Sequence, residues 1–361
     1  MKKFIKILIL FSSLLFIGWG NVGHYKISSN VTKFFHPDMN EFLNWSDYLA
    51  SHASDADYRK GDDPTEGHKH YIDIDNYPIF ISDGYIPNAM DSVIKLYGAS
   101  FVDDQGILPW ATMTTVDSIT AAFSRRDFER ALYFSADLGH YVGDGHMPLH
   151  ITRNYNGQFT DQYGVHSRYE STMIGKYSSQ ISYSGDSVHY VSNVQAYIFE
   201  YLYKNYTLLD SILTADKNAK AVAGSTSSDY YYQLLWEYTE NNTTQLFKDA
   251  SKTIAELIYT AWVNAGSPEL NPSSISDENL IQGFRLEQNY PNPFNPTTKI
   301  HYQIPNSSFV NLTVYNSIGQ EIAVLINEPQ TMGEYQTTFN ASTLSSGIYF
   351  YKITADNFVE T

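Results

Sequence analysis

The pattern of the chain changes between residues 267 and 283. This segment, SPELNPSSISDENLIQG, is rich in Ser, Pro, Asn and Asp, a composition typical of a linker. Before it, apolar residues recur at helical spacing in two long stretches, and afterwards short aliphatic and aromatic runs alternate with turn residues. We therefore predict a mainly α-helical domain at residues 19–266, the linker, and a small all-β sandwich at residues 284–361.

Particular runs of residues carry these predictions. The helical pattern is clearest at Phe128, Ala131, Leu132, Ala136 and Leu138, and again at Leu246, Ala250, Ile254, Leu257, Ile258 and Ala261. Gly266 and Pro268 then supply a stop signal. The predicted strands are TTKIHYQI, FVNLTVYN, EIAVLIN and GIYFYKI.

The N-terminus indicates export. Lys2, Lys3 and Lys6 precede an apolar run from Ile7 to Ile17, which is shorter than the about 20 residues that a membrane span needs. Residues 1–18 are therefore predicted to be a signal peptide, with a membrane anchor as the alternative.

Composition limits the chemistry of any site. The chain of 361 residues contains no cysteine, so disulfides and thiolate metal ligands are excluded. The formal net charge of −16 gives no overall electrostatic attraction for polyanions, although a local metal cluster can provide it.

The segment LGHYVGDGHMPLH, residues 138–150, predicts a metal site. His140 and Asp144 lie four residues apart and share one helix face, whereas His146 points elsewhere. Pro148 should end the helix, so that His150 returns on a loop.

A second pair at the same spacing follows downstream. His166 and Glu170, together with the first pair and His150, form a nitrogen and oxygen donor set suited to zinc. The alternative is that these are polar residues satisfied at the surface or in the core.

Two upstream segments offer further ligands. In residues 53–75 spacing alone cannot choose among the candidates, which are Asp55, Asp57, His68, His70, Asp73 and Asp75. In WGNVGH, cleavage after Gly18 would give Trp19 a free amine, which chelates a metal together with its own carbonyl oxygen, and His24 adds a third donor.

The order of these motifs resembles a known family. W-G-x-x-G-H, A-S-x-A-D, H-Y-I-D, H-x-V-G-D-x-H-x-P-L-H and H-x-x-x-[D/E] occur in sequence over residues 19–265. The ensemble is similar to the trinuclear zinc phosphodiesterases, a superfamily that contains bacterial zinc-dependent phospholipase C and the zinc single-strand nucleases of fungi and plants.

The resemblance implies a set of protein ligands for each of three zinc ions. One ion would be held by Asp57, His70, His140 and Asp144, a second by the amine and carbonyl of Trp19, by His24 and by a bridging Asp144, and the third by His150, His166 and Glu170. By the same match, the non-ligands are His68, His146, Asp73 and Asp75.

The family mechanism is attack on phosphorus by a zinc-activated water, which Asp57 orients or deprotonates. Arg59 is expected either to hold a phosphate or to form a surface ion pair. Glu170 favours a phospholipase C-type enzyme, because the nucleases usually carry Asp at the matching position. Tyr58 favours it too, because an aromatic ring suits a choline-like headgroup.

The alternative is a single-strand nuclease. The W-G-x-x-G-H spacing and Tyr71, which stands where nucleases stack a base, favour it, although an ordinary core tyrosine explains Tyr71 equally well. A non-catalytic surface binding protein is the alternative of another class. The complete set of candidate ligands argues against a decayed site.

The β region resembles another family. N-Y-P-N-P-F-N-P and the strands that follow it are similar to the C-terminal sorting domain of the type IX (Por) secretion system, over residues 284–361. The resemblance implies export through the periplasm and outer membrane, with the secretion machinery as partner. A carbohydrate-binding or adhesion sandwich is the alternative.

Overall fold

The structure is a computed structural model. It describes residues 20–61, 63–270, 284–286, 289, 292, 294, 296–305, 308–342, 344, 347–355 and 358–360. The predicted signal peptide, Trp19 and most of the predicted linker lie outside the described residues. Within them, every helix is too short or too polar to cross a membrane.

Helices dominate the first 266 residues, as predicted. They are α1 (Gly20–Ser28), α2 (Ser46–Ser51), α3 (Asp55–Arg59), α4 (Pro78–Asp83), α5 (Met90–Tyr97), α6 (Ala99–Asp104), α7 (Leu108–Ser124), α8 (Phe128–Gly145), α9 (Ile174–Tyr177), α10 (Val194–Tyr206), α11 (Leu209–Ala223) and α12 (Asp229–Asn264). Short 3₁₀ turns cover Val31–Phe34, Pro37–Trp45, Gly67–His70, Ile74–Asn76, Pro148–His150 and Ser178–Gln180, and a π-helix covers Ser167–Met173.

Helix α12 is the long central element of this domain. The Ser228 hydroxyl caps its first turn by accepting from the Tyr231 amide at 3.2 Å. The helix packs against α1, α7, α8 and α11, and the Ser251 hydroxyl donates to the Ile27 carbonyl at 2.8 Å. The apolar residues predicted for this face and for α8 are all buried, so both helix predictions are confirmed.

Helix α8 packs closely against α1 through glycine. A Cβ added at Gly143 would lie 2.9 Å from Nδ1 of His24, which is closer than side chains approach one another. The close contact sets the position of His24, because nothing larger than hydrogen fits between the two helices at this point.

We expect Gly143→Ala to lower the free energy of unfolding by about 1–3 kcal/mol, the usual cost of overpacking a core. Urea denaturation measures the change. Gly175→Ala in α9 is the matched control, because nothing lies within 4 Å of its added Cβ. There the gain in helix propensity should leave stability unchanged or raise it by up to about 1 kcal/mol. Equal effects of the two substitutions would contradict close packing at Gly143.

The C-terminal region forms two small antiparallel sheets. The strands are β1 (Arg285–Leu286), β2 (Thr297–Ile304), β3 (Ser308–Asn316), β4 (Glu321–Gln330), β5 (Gly333–Asn340), β6 (Tyr349–Ala355) and β7 (Phe358–Glu360). One sheet has the order β1-β2-β5 and the other β4-β3-β6-β7. Ile300 and Phe339 of the first share a buried core with Leu312 and Ile353 of the second. The predicted fold class, mainly α followed by a small β sandwich, is confirmed.

Candidate metal centre

Three groups of buried histidines and carboxylates lie at the centre of the helical domain. Within each group, one donor atom per residue lies within 4.8 Å of the others. The groups are His24, Asp57 and His140; His70, His140 and Asp144; and His150, His166 and Glu170. These are the eight predicted ligands that the structure describes, whereas the ninth, Trp19, lies outside the described residues.

Helix α8 supplies the residues that connect the groups. His140 and Asp144 stand one turn apart on its buried face, with Nε2 of His140 3.3 Å from Oδ2 of Asp144. Oδ2 also lies 2.9 Å from Nδ1 of His70, and Oδ1 lies 3.4 Å from Nε2 of His24 and 3.8 Å from Nδ1 of His150. Asp144 is therefore in contact with residues of all three groups.

The third group is built on two irregular segments. After α8 ends at Gly145, the 3₁₀ turn at Pro148–His150 brings His150 back, and Nε2 of His150 lies 3.3 Å from Oε2 of Glu170. Glu170 is in the π-helix Ser167–Met173, and its Oε1 lies 2.9 Å from Nε2 of His166. A π-helix is a rare element that occurs frequently at functional sites.

Backbone carbonyls orient three of the histidines. Nδ1 of His140 lies 2.7 Å from the Ala53 carbonyl, Nδ1 of His150 2.8 Å from that of His70, and Nδ1 of His166 3.1 Å from that of Tyr155. Because a carbonyl oxygen only accepts hydrogen bonds, each Nδ1 carries the proton. Nε2 is then the nitrogen through which each ring can bind a metal once any proton on it is displaced.

The histidines and carboxylates of the cluster shift one another's pKa values. Burial alone would lower the pKa of His140, but the nearby Asp144 and Asp57 carboxylates raise it to about 10. Burial likewise opposes ionisation of Asp144, yet His140 and His150 hold the pKa of its carboxyl well below the usual range. In the absence of a cation, protonated histidines thus compensate the buried carboxylates. A bound metal replaces those protons.

Several buried donor atoms make no hydrogen bond within the described residues. Among them are Nδ1 and Nε2 of His24, Nε2 of His70, Oδ2 of Asp57 and Oδ1 of Asp144. Leaving a buried polar atom unsatisfied costs about 1–3 kcal/mol, so a group of them calls for a partner. Imidazole nitrogens and carboxylate oxygens are the donors that zinc accepts, and the residues present fit zinc binding.

The two carboxylate oxygens of Asp57 differ: Oδ1 is ion-paired, whereas Oδ2 makes no hydrogen bond within the described residues. Nζ of Lys60 lies 2.6 Å from Oδ1, in an ion pair that the sequence reasoning missed. The adjacent candidate Asp55 instead lies 2.8 Å from Nδ1 of His52. Of the two carboxylates that spacing could not separate, Asp57 is therefore the one that reaches the cluster.

The residues predicted to contact substrate differ in their surroundings. Tyr58 is 49% exposed, and its hydroxyl accepts from Nδ2 of Asn21 at 3.1 Å. Nη2 of Arg59 lies 2.9 Å from Oδ1 of Asp137 and 3.6 Å from Oε1 of Glu66, so its guanidinium group is ion-paired with two largely buried carboxylates. Tyr71 is half-buried, its hydroxyl donates to a backbone carbonyl at residue 104, and burial raises its pKa to about 12.

The four predicted non-ligands are in none of the three groups. His146 is buried against Tyr201, with stacked rings 4.6 Å apart and Nδ1 2.8 Å from the Val142 carbonyl. His68 pairs with Asp103 at 3.0 Å. Asp75 accepts from the Thr152 hydroxyl and the Arg153 amide, each at 2.8 Å, and so fixes the turn after His150.

Asp73 provides a pH-dependent prediction. Burial, followed by the charge of Asp75, raises its pKa from 3.8 to about 7. The folded protein then holds this proton more tightly than the unfolded chain, so the contribution of Asp73 to stability is lost as pH rises from about 4 through 7. We expect Asp73→Asn to raise the free energy of unfolding at pH 8 by about 2–4 kcal/mol and to leave it little changed at pH 4.

Urea denaturation across that pH range measures the effect. Asp75→Asn is the comparison variant. It removes a charge that penalises the Asp73 carboxylate but also weakens the hydrogen bonds from Thr152 and Arg153, so it should stabilise the protein at pH 8 less than Asp73→Asn does. A variant at Asp73 that is no more stable than the parent protein at pH 8 would show that its carboxylate is not penalised by burial.

Sequence reasoning also missed Glu66. This buried carboxylate lies four residues before His70, and its Oε1 is 3.4 Å from Nε2 of that histidine. The spacing of four was the available signal, but it places the two residues on one face only if the segment is helical. The segment is a 3₁₀ turn.

Comparison with known proteins assigns the C-terminal region. Residues 288–361 match the model of the "Secretion system C-terminal sorting domain". These residues are a secretion sorting domain. The protein is therefore exported to the cell surface or outside the cell, and its sorting domain implies interaction with the type IX secretion machinery.

The other similarities of the chain are more distant. A probable serine protease of Bradyrhizobium tropiciagri is 22% identical over 204 residues, which are 48% of this chain and 26% of that protein. The chain thus spans about a quarter of that relative's length, and so weak a match assigns no activity.

Two solved toxins also resemble the chain. The alpha-toxin of an avian strain of Clostridium perfringens has 11% identity and a TM-score of 0.45, with 95% of this chain and 89% of the toxin covered. The alpha-toxin of Clostridium absonum has 11% identity and a TM-score of 0.41, with 94% of each chain covered. These scores are too low to assign a function.

Proposed function

We propose that the helical domain is a zinc-dependent phosphodiesterase, most closely of the phospholipase C type. The observation that carries the proposal is the continuity of the buried donors. His140 belongs to two of the three groups, and Asp144 connects them to the third through His150. Eight nitrogen and oxygen donors buried side by side form a multinuclear metal site rather than three unrelated polar contacts.

The residues would hold three zinc ions in the arrangement predicted from the sequence. Asp57, His70, His140 and Asp144 would hold the first ion, and His150, His166 and Glu170 the third; His24 also lies close to Asp57 and His140. The second position uses His24 and Asp144, completed by Trp19 if export leaves its amine free. His24 supports this assignment, because both of its ring nitrogens lack a hydrogen bond within the described residues.

Bound zinc would supply Lewis acidity and lower the pKa of a coordinated water. The protein's own contribution is positioning. Oδ1 of Asp57 is fixed by Lys60, while its Oδ2 makes no hydrogen bond among the described residues. That oxygen is placed to accept a hydrogen bond from the attacking water and to receive its proton as the new P–O bond forms. The P–O bond to the leaving alkoxide breaks in the same displacement, and the alkoxide takes up a proton from solvent.

Tyr58 supports the choice of substrate. An exposed aromatic ring directly after Asp57 offers a face for a quaternary ammonium group, and such cation–π contacts contribute about 0.5–2 kcal/mol. Arg59 is omitted from the proposed substrate site, because its guanidinium group is already paired with Asp137 and Glu66.

The test is a side-by-side assay of the exported protein. Zinc content is measured by elemental analysis, and hydrolysis of phosphatidylcholine vesicles and of single-stranded DNA is compared with and without a chelator. We expect chelator-sensitive release of phosphocholine. Faster cleavage of the DNA would instead favour the nuclease alternative.

Two further outcomes define the limits of the proposal. Full zinc occupancy without hydrolysis of either substrate would favour a non-catalytic binding protein. Mass spectrometry of the mature N-terminus tests the second position separately, because a chain that does not begin at Trp19 cannot use the chelate proposed there.

A further inference from the structure

His70 is oriented differently from the other candidate ligands. Its Nδ1 faces the cluster, 2.9 Å from Oδ2 of Asp144 and 3.0 Å from Nε2 of His140. Its Nε2 faces away and makes no hydrogen bond within the described residues, although Oε1 of Glu66 lies 3.4 Å from it, within ion-pair distance. In His140, His150 and His166 a backbone carbonyl instead holds Nδ1.

Glu66 is itself fixed from two sides. Its side chain is 1% exposed, Oε1 accepts from the Tyr141 hydroxyl at 2.5 Å, and Oε2 lies 2.7 Å from Nζ of Lys69. Tyr141 follows His140 on α8, so the carboxylate is anchored to the helix that carries two other ligands. A carboxylate held in this way can impose an orientation on the imidazole beside it.

We propose that Glu66 is a positioning residue for the metal centre. With zinc bound, Oε1 of Glu66 would accept a hydrogen bond from the Nε2 proton of His70 and so keep the Nδ1 lone pair available to the metal. The inference rests on the proposed zinc site and goes beyond it, because Glu66 is not a ligand. Partners of this kind raise the basicity of a ligand and fix its tautomer.

A cavity of about 380 Å³ borders Glu66 on the side away from the cluster. Its lining includes Arg59, Lys69, Trp110, Tyr133, Asp137 and Tyr141. Because this space is partly polar, water can replace a deleted carboxylate without collapse of the surrounding helices. Variants at Glu66 should therefore fold, which circular dichroism and urea denaturation can verify.

The experiment compares Glu66→Ala and Glu66→Gln with the parent protein. Zinc affinity is measured by competition with a chromophoric chelator. The protonated nitrogen of His70 is read from NMR spectra of protein labelled with ¹⁵N-histidine. We expect Glu66→Ala to weaken zinc binding by about 10–100-fold at one site. Glu66→Gln, which keeps an accepting oxygen, should weaken it less, and the Nε2 proton of His70 should be lost or shifted most in the alanine variant.

Lys69→Ala is the matched control. It removes the ion pair at Oε2 but leaves Oε1 opposite His70. Zinc affinity within about threefold of the parent supports positioning through His70, whereas a loss equal to that of Glu66→Ala would mean that the pair only braces the 67–70 turn and would overturn the proposal.

Failure of this inference is distinguishable from failure of the proposed function. If the parent protein binds zinc and Glu66→Ala binds it equally well with the same His70 protonation, only the role of Glu66 is wrong. If the parent binds no zinc, the proposed function is wrong. In that case the NMR measurement still tests the contact between Glu66 and His70. An Nε2 signal of His70 that is the same in the parent and in Glu66→Ala would overturn that contact.

Discussion

Asp144→Asn should empty two of the three proposed zinc positions and lower the turnover of the phosphodiester substrate by more than about 100-fold. Removal of even a hydrogen-bonding partner of a ligand typically lowers metal affinity or activity by about 10–100-fold. Removal of a bridging ligand should lower them more. Asparagine has nearly the same volume as aspartate, so the loss reflects charge and donor chemistry rather than a cavity. Elemental analysis and kcat measure the two effects.

His146→Asn is the matched control for this substitution. His146 is buried two residues further along, but it belongs to none of the three groups among the described residues. Its replacement should leave zinc content unchanged, even if stability falls. A parent-like zinc content in Asp144→Asn, or equal losses in both variants, would show that Asp144 does not bridge the metals.

Removal of zinc should lower the melting temperature of the helical domain by about 8–16 °C for each site released. A ligand present at 1,000 times its dissociation constant stabilises the folded state by about 4 kcal/mol. For a domain of this size, each kcal/mol corresponds to about 2–4 °C. The physical reason is that chelation leaves Asp57, Asp144 and Glu170 buried together without a metal cation.

Calorimetry before and after treatment with phenanthroline measures the shift, and added zinc should reverse it. Magnesium is the control for nonspecific ionic effects, since it prefers oxygen donors and retains its own waters. A melting temperature that does not respond to either treatment would rule out metal as a stabilising component of the core.

Part of the site is readable from local spacing. His140 with Asp144 and His166 with Glu170 are separated by four residues, and helical geometry alone brings each pair together. The burial of the apolar faces of α8 and α12 follows from the same periodicity.

Other parts depend on contacts distant in sequence. Spacing could not decide whether Asp55 or Asp57 is a ligand, or whether His68 or His70 is. Tertiary packing orients the short helical turns that carry them. Arg59 finds its partner Asp137 on α8, a contact that no local pattern encodes. In the β domain, the polar strand β5 was missed, since GEYQTTFN becomes a strand only through its pairing with β2.

The carbonyl anchors of His140, His150 and His166 have an evolutionary consequence. A main-chain oxygen remains whatever side chain a codon specifies. Most single substitutions at Ala53, His70 and Tyr155 therefore keep the carbonyl oxygen that orients each of these three rings. The ring of His70 instead faces a side chain, Glu66, which one mutation can remove. Sequence variation at Glu66 should therefore alter the candidate metal centre more readily than variation at the three residues that supply carbonyl oxygens.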